Sequence, residues 1–188
     1  MPSRAFLVVR HGTTDWNREG RFQGMTDNPI NDDGIAQAFA IARRLGRLRI
    51  DQIVTSPLTR AVKTAEIIAA ASGAPIAIDN HIIAFDYGGL EGQSIAGTMK
   101  AHNLKAVADL VSIMPPDSEP WTSVCERAMG CVVTWLNARP GGTVLFVTHD
   151  LMMQALSTTL CGKWFHYRYG SPYRYEPTDQ GWVVDEVC

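Results

Sequence analysis

Long hydrophobic runs are missing from this sequence of 188 residues. The first apolar run extends only from Phe6 to Val9 before Arg10 interrupts it, and that is too short for the core of a secretory signal. No other stretch approaches the roughly 20 apolar residues that span a membrane. We therefore expect a cytoplasmic protein with no signal peptide and no membrane partner.

An excess of charge of one sign is missing as well. The chain has 17 Lys and Arg against 19 Asp and Glu, which gives a formal net charge of -2 and an isoelectric point near 6.2. This balance argues against a general nucleic-acid-binding or membrane-surface protein. Any anion that the protein binds must therefore meet a local basic site.

Cysteine pairs with metal-binding or redox spacing are also missing. None of the four cysteines forms a CxxC motif or has a histidine pair nearby, so we predict reduced thiols without disulfide bonds or zinc. The five histidines are too dispersed to indicate any other metal site. The cysteines are Cys125, Cys131, Cys161 and Cys188.

What the sequence does contain is an alternation of short strands and helices. Apolar residues make up 46% of the chain and charged residues 19%, as expected for a single domain over residues 1–188. The pattern predicts an α/β fold, a three-layer sandwich with a mainly parallel sheet, an antiparallel edge and helices on both faces. The predicted strands are Phe6–Val9, Ile50–Thr55, Pro75–Ile78 and Thr143–Thr148, followed by antiparallel Tyr173–Glu176 and Trp182–Glu186.

Helical periodicity and capping residues predict the helices between these strands. Glycine-rich, acidic Ile82–Ser94 is predicted as a loop, and Ile95–Ile113 as a weakly patterned helix in one or two pieces. The polar stretch Arg18–Asn31 is a long loop for a compact domain, which hints at a binding role. The other predicted helices run from about Asp33 to Gly46, from Ser56-Pro57 to Ala71, from Trp121 to Leu136 and from Leu151 to Leu160.

Basic side chains follow three of the predicted strands. If those strands are parallel neighbours, the side chains converge at one edge of the sheet, where open α/β sheets bind their ligands. Helix N-termini near Pro57 and Asp150 would direct further N–H groups into the same space. The converging side chains are those of Arg10, His11, Arg60 and His149.

This set of groups is suited to phosphate. A guanidinium group can bond two phosphate oxygens at once. An imidazole held against the same phosphate can act as a nucleophile and form a bond to phosphorus. The pattern therefore predicts phosphoryl transfer to a histidine.

The motifs around these residues resemble the histidine phosphatase superfamily, which includes the cofactor-dependent phosphoglycerate mutases. The resemblance extends from Phe6 to about Leu160, and its motifs occur in the order that the family has. They are Arg10-His11-Gly12-Thr13 with Asn17, Ser56-Pro57-Leu58-Thr59-Arg60-Ala61 with Thr64-Ala65, and Val147-Thr148-His149.

The resemblance implies a role for each site residue. His11 would attack phosphorus and become a phosphohistidine that water hydrolyses, with its second ring nitrogen bound to a backbone carbonyl. Neither a metal nor another cofactor is implied, because the arginines would stabilise the charge on phosphate. Arg10, Arg60 and His149 would hold the phosphate oxygens, Asn17 would add a hydrogen bond, and Thr14 or Gln23 would line the pocket.

One position departs from the family pattern. Ala84 stands where mutase-like members carry a glutamate that protonates the leaving oxygen, and loss of a general acid costs about 10²–10⁴ in rate. Asp150 could replace it, as an aspartate at that place does in another branch, whereas the nearer Asp86 and Glu91 have a structural character. Alternatively the leaving group needs little protonation, as in an acyl phosphate or a phosphorylated histidine, or Ala84 is a deliberate replacement.

Aromatic and basic residues alternate near the end of the chain, in Trp164–Tyr169 and Tyr173–Tyr175. Such a stretch could stack on the bases of a nucleotide or a single-stranded nucleic acid. With an acidic isoelectric point and no wider basic patch, packing against the sheet or against a second subunit is favoured. We expect no nucleic-acid partner and leave a homodimer open.

The sequence therefore predicts a small phosphatase that hydrolyses a phosphorylated metabolite through phosphohistidine. A chain of 188 residues has little room for the extra segments with which the large mutases enclose a bisphosphate. Two alternatives stay open: mutase-type phosphoryl transfer, and a catalytically weakened phosphate-binding or interaction module in which Ala84 replaces the acid.

Overall fold

A mixed six-stranded sheet with the order β3-β2-β4-β1-β5-β6 forms the centre of the protein. The computed structural model describes residues 1–188, apart from the side chains at positions 107, 108 and 111. β1 to β4 are parallel and β5 and β6 are antiparallel, so the predicted sheet is confirmed. The strands are β1 Phe6–Arg10, β2 Gln52–Thr55, β3 Ile76–Ile78, β4 Val144–Thr148, β5 Pro172–Thr178 and β6 Gly181–Glu186.

Six α-helices surround the sheet, and the region after α4 folds as separate short pieces. The weakly patterned stretch Ile95–Ile113 divides into a helix and a 3-10 turn. None of the described helices is both long and apolar enough to cross a membrane. The helices are α1 Asp15–Arg18, α2 Asp32–Leu45, α3 Thr59–Ser72, α4 Ile95–Ala101, α5 Trp121–Ala138 and α6 Asp150–Cys161, with 3-10 turns at Asn80–Ile82, Gly88–Leu90 and Val107–Ile113.

Alternating side chains of the sheet enter two separate apolar cores. Phe6 and Val8 of β1 pack with residues of α5 and α6 on one face. Leu7 and Val9 pack with residues of α2 and α3 on the other face. Because successive strand residues point to opposite faces, this division establishes helices on both sides and confirms the three-layer sandwich.

The prediction that α3 begins at Ser56-Pro57 is wrong. The helix begins at Thr59, whose backbone N–H donates to Asp27 Oδ1 over 2.7 Å. Asp27 comes from the long loop before α2, so no local sequence signal identifies it as the cap. The N-terminus of α3 is therefore occupied by this carboxylate, whereas α6 does begin at Asp150, directly after His149.

The turn after β1 packs backbone to backbone against the first turn of α2. A Cβ atom on Gly12 would lie 2.4 Å from the carbonyl oxygen of Gly34, and one on Gly34 would lie 2.3 Å from that of Thr13. Real Cβ atoms do not approach backbone so closely. Both glycines are therefore needed for the close contact that fixes the end of β1.

The aromatic residues near the end of the chain pack within the protein. Tyr167, Tyr173 and Tyr175 are buried, and the hydroxyl groups of Tyr167 and Tyr175 are 2.5 Å apart. Trp164 stacks on Trp121 of α5, with 5.5 Å between ring centroids. The three tyrosines therefore belong to the core, whereas Trp164 and Tyr169 stay partly exposed.

Candidate active site

His11 is held at the carboxyl end of β1 with one ring nitrogen already bound. Its backbone N–H donates to the carbonyl of Thr148 over 2.9 Å, and its Nδ1 lies 2.7 Å from the carbonyl oxygen of Gly12. A carbonyl only accepts, so Nδ1 carries the hydrogen. In the neutral ring, the lone pair is therefore on Nε2, which is the nitrogen left for attack on a substrate.

The surroundings of His11 keep its imidazole uncharged. Burial lowers the pKa of His11 well below its usual value, and the positive charges of Arg60 and Arg10 lower it further. The hydrogen bond to Gly12 acts in the opposite direction but is the smallest effect. The imidazole of His11 is thus neutral at pH 7.

His149 faces His11 across the site, with 5.0 Å between the ring centroids. Its Nε2 lies 2.8 Å from the hydroxyl oxygen of Ser56, and its Nδ1 is buried without a partner. Burial, followed by the charges of Arg60, His11 and Arg10, lowers the pKa of His149 well below its usual value. If the Ser56 hydroxyl donates to Nε2, the hydrogen of this neutral ring is on Nδ1.

Arg60 is fully buried beneath the loop before α2. Its Nη1 donates to the carbonyl of Thr26 over 2.8 Å and its Nη2 to that of Gly24 over 2.6 Å. Burial lowers the pKa of Arg60 to about 10, so the group stays charged at pH 7. The guanidinium therefore fixes the loop through two nitrogens and keeps Nε without a partner.

Arg10 is placed between an aromatic ring and a carboxylate. Its guanidinium carbon lies 4.0 Å from the centroid of the Tyr169 ring, and Nη1 lies 3.5 Å from Asp150 Oδ1. Its Nε is buried and, like that of Arg60, has no hydrogen-bond partner. Two sides of the guanidinium are thus in contact with other side chains, while the buried Nε–H is left for a ligand.

Thr14, Asn17 and Gln23 form a connected group at the start of α1. Thr14 caps this helix, and its hydroxyl donates to Gln23 Oε1 over 2.5 Å. Asn17 and Gln23 line the cavity beside His11, whereas Thr14 is fully buried and is not part of the lining. Of the two residues predicted to line the pocket, Gln23 does so and Thr14 positions it.

Unsatisfied hydrogen-bonding groups are concentrated at this site. Buried polar atoms in proteins nearly always have a partner, so each exception needs an explanation. Within the described part of the chain, the side-chain atoms that are buried and without a partner are Arg10 Nε, Gln23 Nε2, Arg60 Nε and His149 Nδ1. All four belong to predicted site residues, and as N–H donors they are suited to the oxygens of an anion.

A cavity of about 600 Å³ extends from His11 and His149. Ala84 is buried in its wall, and the carbonyl of Ala84 accepts a hydrogen bond of 3.0 Å from Arg127 Nη2. The structure therefore places a methyl group beside the site where the family pattern has a carboxylic acid.

Two carboxylates line the cavity, those of Asp150 and Glu119. Asp150 pairs with Arg10, and Glu119 receives hydrogen bonds of 2.6 and 2.8 Å from Arg127. The two acidic residues nearer to Ala84 in the chain have structural contacts instead. Asp86 accepts from the backbone of Gly88, and Glu91 accepts from the backbone of Met25 and Thr26.

Several residues of the site were not identified from the sequence. Ser56 was interpreted only as a helix cap, but its hydroxyl, which accepts a hydrogen bond of 3.4 Å from the backbone of Leu58, also contacts His149. Tyr169 belongs to the aromatic stretch, where nothing indicated a contact with Arg10. Arg127 and Glu119 lie on opposite sides of the start of α5, and their ion pair depends on how the chain turns there.

Comparison with known proteins agrees with the fold and with the resemblance to the histidine phosphatase superfamily. The sequence profile of the histidine phosphatase superfamily (branch 1) matches residues 6–188. A probable phosphoglycerate mutase GpmB of Cronobacter sakazakii is 35% identical over 159 residues, which cover 82% of this chain and 74% of that protein. The GpmB of Escherichia fergusonii is 34% identical over 158 residues, with the same coverage.

Solved structures show the same architecture. Bacillus stearothermophilus YhfR superimposes with a TM-score of 0.84 at 26% identity, covering 97% of this chain and 95% of that one. A mycobacterial glucosyl-3-phosphoglycerate phosphatase superimposes with a TM-score of 0.85 at 24% identity, covering 97% and 98%. At that identity the second match shows the fold alone. The profile match over nearly the whole chain shows that this protein belongs to the histidine phosphatase superfamily, branch 1.

Proposed function

We propose that the protein hydrolyses a phosphomonoester of a small molecule through a phosphohistidine on His11. The observation that carries this proposal is the group of four unpartnered N–H donors around a neutral imidazole. A tetrahedral phosphate would give these donors acceptors and would bring phosphorus to Nε2 of His11.

In the first step the Nε2 lone pair forms the N–P bond while the bond from phosphorus to the ester oxygen breaks. The electron pair leaves with that oxygen, and the departing anion takes a proton from solvent. Arg10 and Arg60 are the fixed positive charges beside the phosphoryl oxygens in this step. His149 adds a neutral N–H donor from Nδ1, because Ser56 holds its other nitrogen.

In the second step water attacks phosphorus and the N–P electron pair returns to Nε2. The attacking water releases its proton to solvent, while Asp150, which lines the cavity as the partner of Arg10, helps to hold that guanidinium beside the phosphate. Inorganic phosphate then leaves, and His11 is restored with its hydrogen still on Nδ1.

Mutase activity is the second candidate, because relatives about one-third identical are named probable phosphoglycerate mutases. A mutase substrate carries a second acidic group that needs a cation. Among the described residues of the cavity, the cationic side chain outside the His11 corner is Arg21, which donates to Glu19 and to the carbonyl of Gly92. This arrangement favours hydrolysis over mutase chemistry.

The proposal is tested with nitrophenyl phosphate, an aryl ester whose leaving group, nitrophenolate, departs without protonation. We expect hydrolysis by the unaltered protein and its loss in His11→Asn, with the melting temperature of the variant measured to show that it folds. His102→Asn changes an exposed histidine outside the cavity and is the matched control, expected to keep full activity. Equal activity in the His11 variant and the unaltered protein would contradict the proposal.

A further inference from the structure

We infer that the substrate is the phosphate ester of a phenol-like alcohol with an apolar ring, and that Ala84 and the apolar cavity wall select it. This inference rests on the proposed phosphohistidine chemistry and concerns the organic half of the same substrate. It follows from three properties of the site: an apolar wall, charges that are already paired, and a missing acid.

We call the part of the cavity beside His11 and His149 the phosphate corner. The cavity wall beyond this corner is apolar and aromatic. The cavity of about 600 Å³ is large enough for a ring system. Trp121 and Trp164 form one side as a stacked pair with an interplanar angle of 14°. The residues that define the rest of this wall include Phe22, Leu110, Met114 and Leu151.

Charges within the cavity are engaged with one another. Arg21 is bound by Glu19, Glu119 by Arg127, and Asp150 lies against Arg10. A substrate that carries a second phosphate or a carboxylate would therefore meet no unengaged cation in the described lining beyond the phosphate corner. A leaving group without charge, able to contact the apolar wall, fits this distribution better.

Ala84 determines how the leaving group departs. A methyl group donates no proton, and both carboxylates of the lining already have a cationic partner. Glu119 accepts two hydrogen bonds from Arg127, and Asp150 forms an ion pair of 3.5 Å with Arg10. An alkyl alcohol is about as weak an acid as water and leaves poorly as its anion. A phenol, with a pKa of about 10, leaves far more readily.

The apolar wall and the missing acid select the same kind of substrate. A phenolic ring presents an apolar face to Trp121 and Met114, and its oxygen leaves with the electron pair of the broken P–O bond without help from an acid. The products are the phenolate, which solvent protonates, and phosphohistidine. The substrate class is thus an aryl phosphate rather than an alkyl phosphate or a phosphorylated acid.

The test compares phenyl phosphate with benzyl phosphate, which carry the same ring on alcohols of very different acidity. We expect the unaltered protein to give a kcat for phenyl phosphate at least about 10²-fold higher, since that is the lower range of what an absent acid costs. Ala84→Glu should raise kcat for benzyl phosphate by about 10²–10⁴, and so reduce the ratio of the two kcat values by a similar factor. Ala84→Gln has the same bulk without an acid and should raise neither.

The apolar wall is tested separately. Trp121→Ala should raise KM for naphthyl phosphate about tenfold, because a large aromatic contact is lost, while inhibition by inorganic phosphate stays the same. If Trp121→Ala weakened the binding of naphthyl phosphate and of inorganic phosphate equally, the wall would act only through the phosphate corner. That result would overturn this part of the inference.

The outcomes distinguish the inference from the function on which it rests. Similar kcat values for phenyl and benzyl phosphate, with both lost in His11→Asn, would overturn the aryl preference and leave the hydrolysis proposal intact. If Asp150→Asn then lowered kcat for benzyl phosphate but not for phenyl phosphate, Asp150 would be the acid that protonates the leaving group. No phosphate release from any ester, in the unaltered protein or in Ala84→Glu, would instead overturn the proposed function.

Discussion

Nδ1 of His11 lies 2.7 Å from the carbonyl oxygen of Gly12, the residue that follows it in the chain. This short-range contact decides the chemistry of the ring, because it assigns the hydrogen to Nδ1 and the lone pair to Nε2. The charges of Arg60 and Arg10 and the burial of the ring oppose protonation of that lone pair. A backbone carbonyl and two arginines thus prepare the imidazole before a substrate arrives.

Stability should fall below about pH 6.5 because of this arrangement. The unfolded chain binds a proton on His11 below that pH, whereas the folded protein, with its lowered pKa, does not. The unfolded state is therefore favoured as the pH falls, by up to about 1.4 kcal/mol per pH unit for one histidine.

Urea unfolding in phosphate-free buffer at several pH values between about 7.5 and 5.5 measures this slope. His11→Asn should reduce this slope and leave the part that His149 contributes, and His102→Asn is the control from the exposed surface. The same slope in His11→Asn and the unaltered protein would show that His11 is protonated equally in the folded and unfolded states.

Two glycines that both lie in helices, Gly130 and Gly34, should respond in opposite ways to replacement by alanine. The difference arises because Gly34 is in close contact with the turn after β1. Alanine is the better helix former by about 1 kcal/mol. Gly130→Ala in α5, where a Cβ atom meets nothing within 4 Å, should therefore stabilise the protein by roughly that amount. Gly34→Ala in α2 should destabilise it, because its Cβ atom would lie 2.3 Å from the Thr13 carbonyl oxygen.

Equilibrium unfolding by urea compares the two variants under the same conditions. Stabilisation in both would show that the turn after β1 gives way at little cost. Gly34→Ala should also lower kcat, since the turn that moves carries His11, whereas Gly130→Ala should keep it.

Arg60→Lys should lose both the structure of the loop and the binding of phosphate. One ammonium group cannot replace the three separate positions of the guanidinium, where two nitrogens hold Gly24 and Thr26 and the third is unpartnered. Losing charged hydrogen bonds of about 1.5–3 kcal/mol each predicts a fall in kcat/KM of at least about 10².

The matched control is Arg47→Lys, which changes an exposed arginine and should leave kcat/KM unchanged. Limited proteolysis reports on the loop: cleavage near Gly24 should become faster in Arg60→Lys and stay slow in the control. Full activity in Arg60→Lys would show that a point charge alone suffices at this position.

The sequence predicts the framework of the site better than its surroundings. Arg10 ends β1, and His11 and His149 directly follow β1 and β4. Since these strands are parallel neighbours in the sheet, strand order alone brings the three residues together. The position of Ala84 in the wall likewise follows the alignment with the family pattern.

Contacts made by distant segments could not be predicted in this way. Asp27 caps α3 from a position 32 residues earlier in the chain, which is why the start of that helix was placed too early. Trp121 and Trp164 meet 5.5 Å apart only because α5 and the segment after α6 pack together. No spacing rule within the sequence joins such pairs.

The account depends above all on a covalent bond between phosphorus and His11. Rapid acid-free quenching of the protein with radiolabelled phenyl phosphate, followed by peptide mapping, measures that bond directly. We predict base-stable, acid-labile label on the peptide containing His11, and none in His11→Asn. Turnover without label on His11, or label on a different residue, would contradict the account.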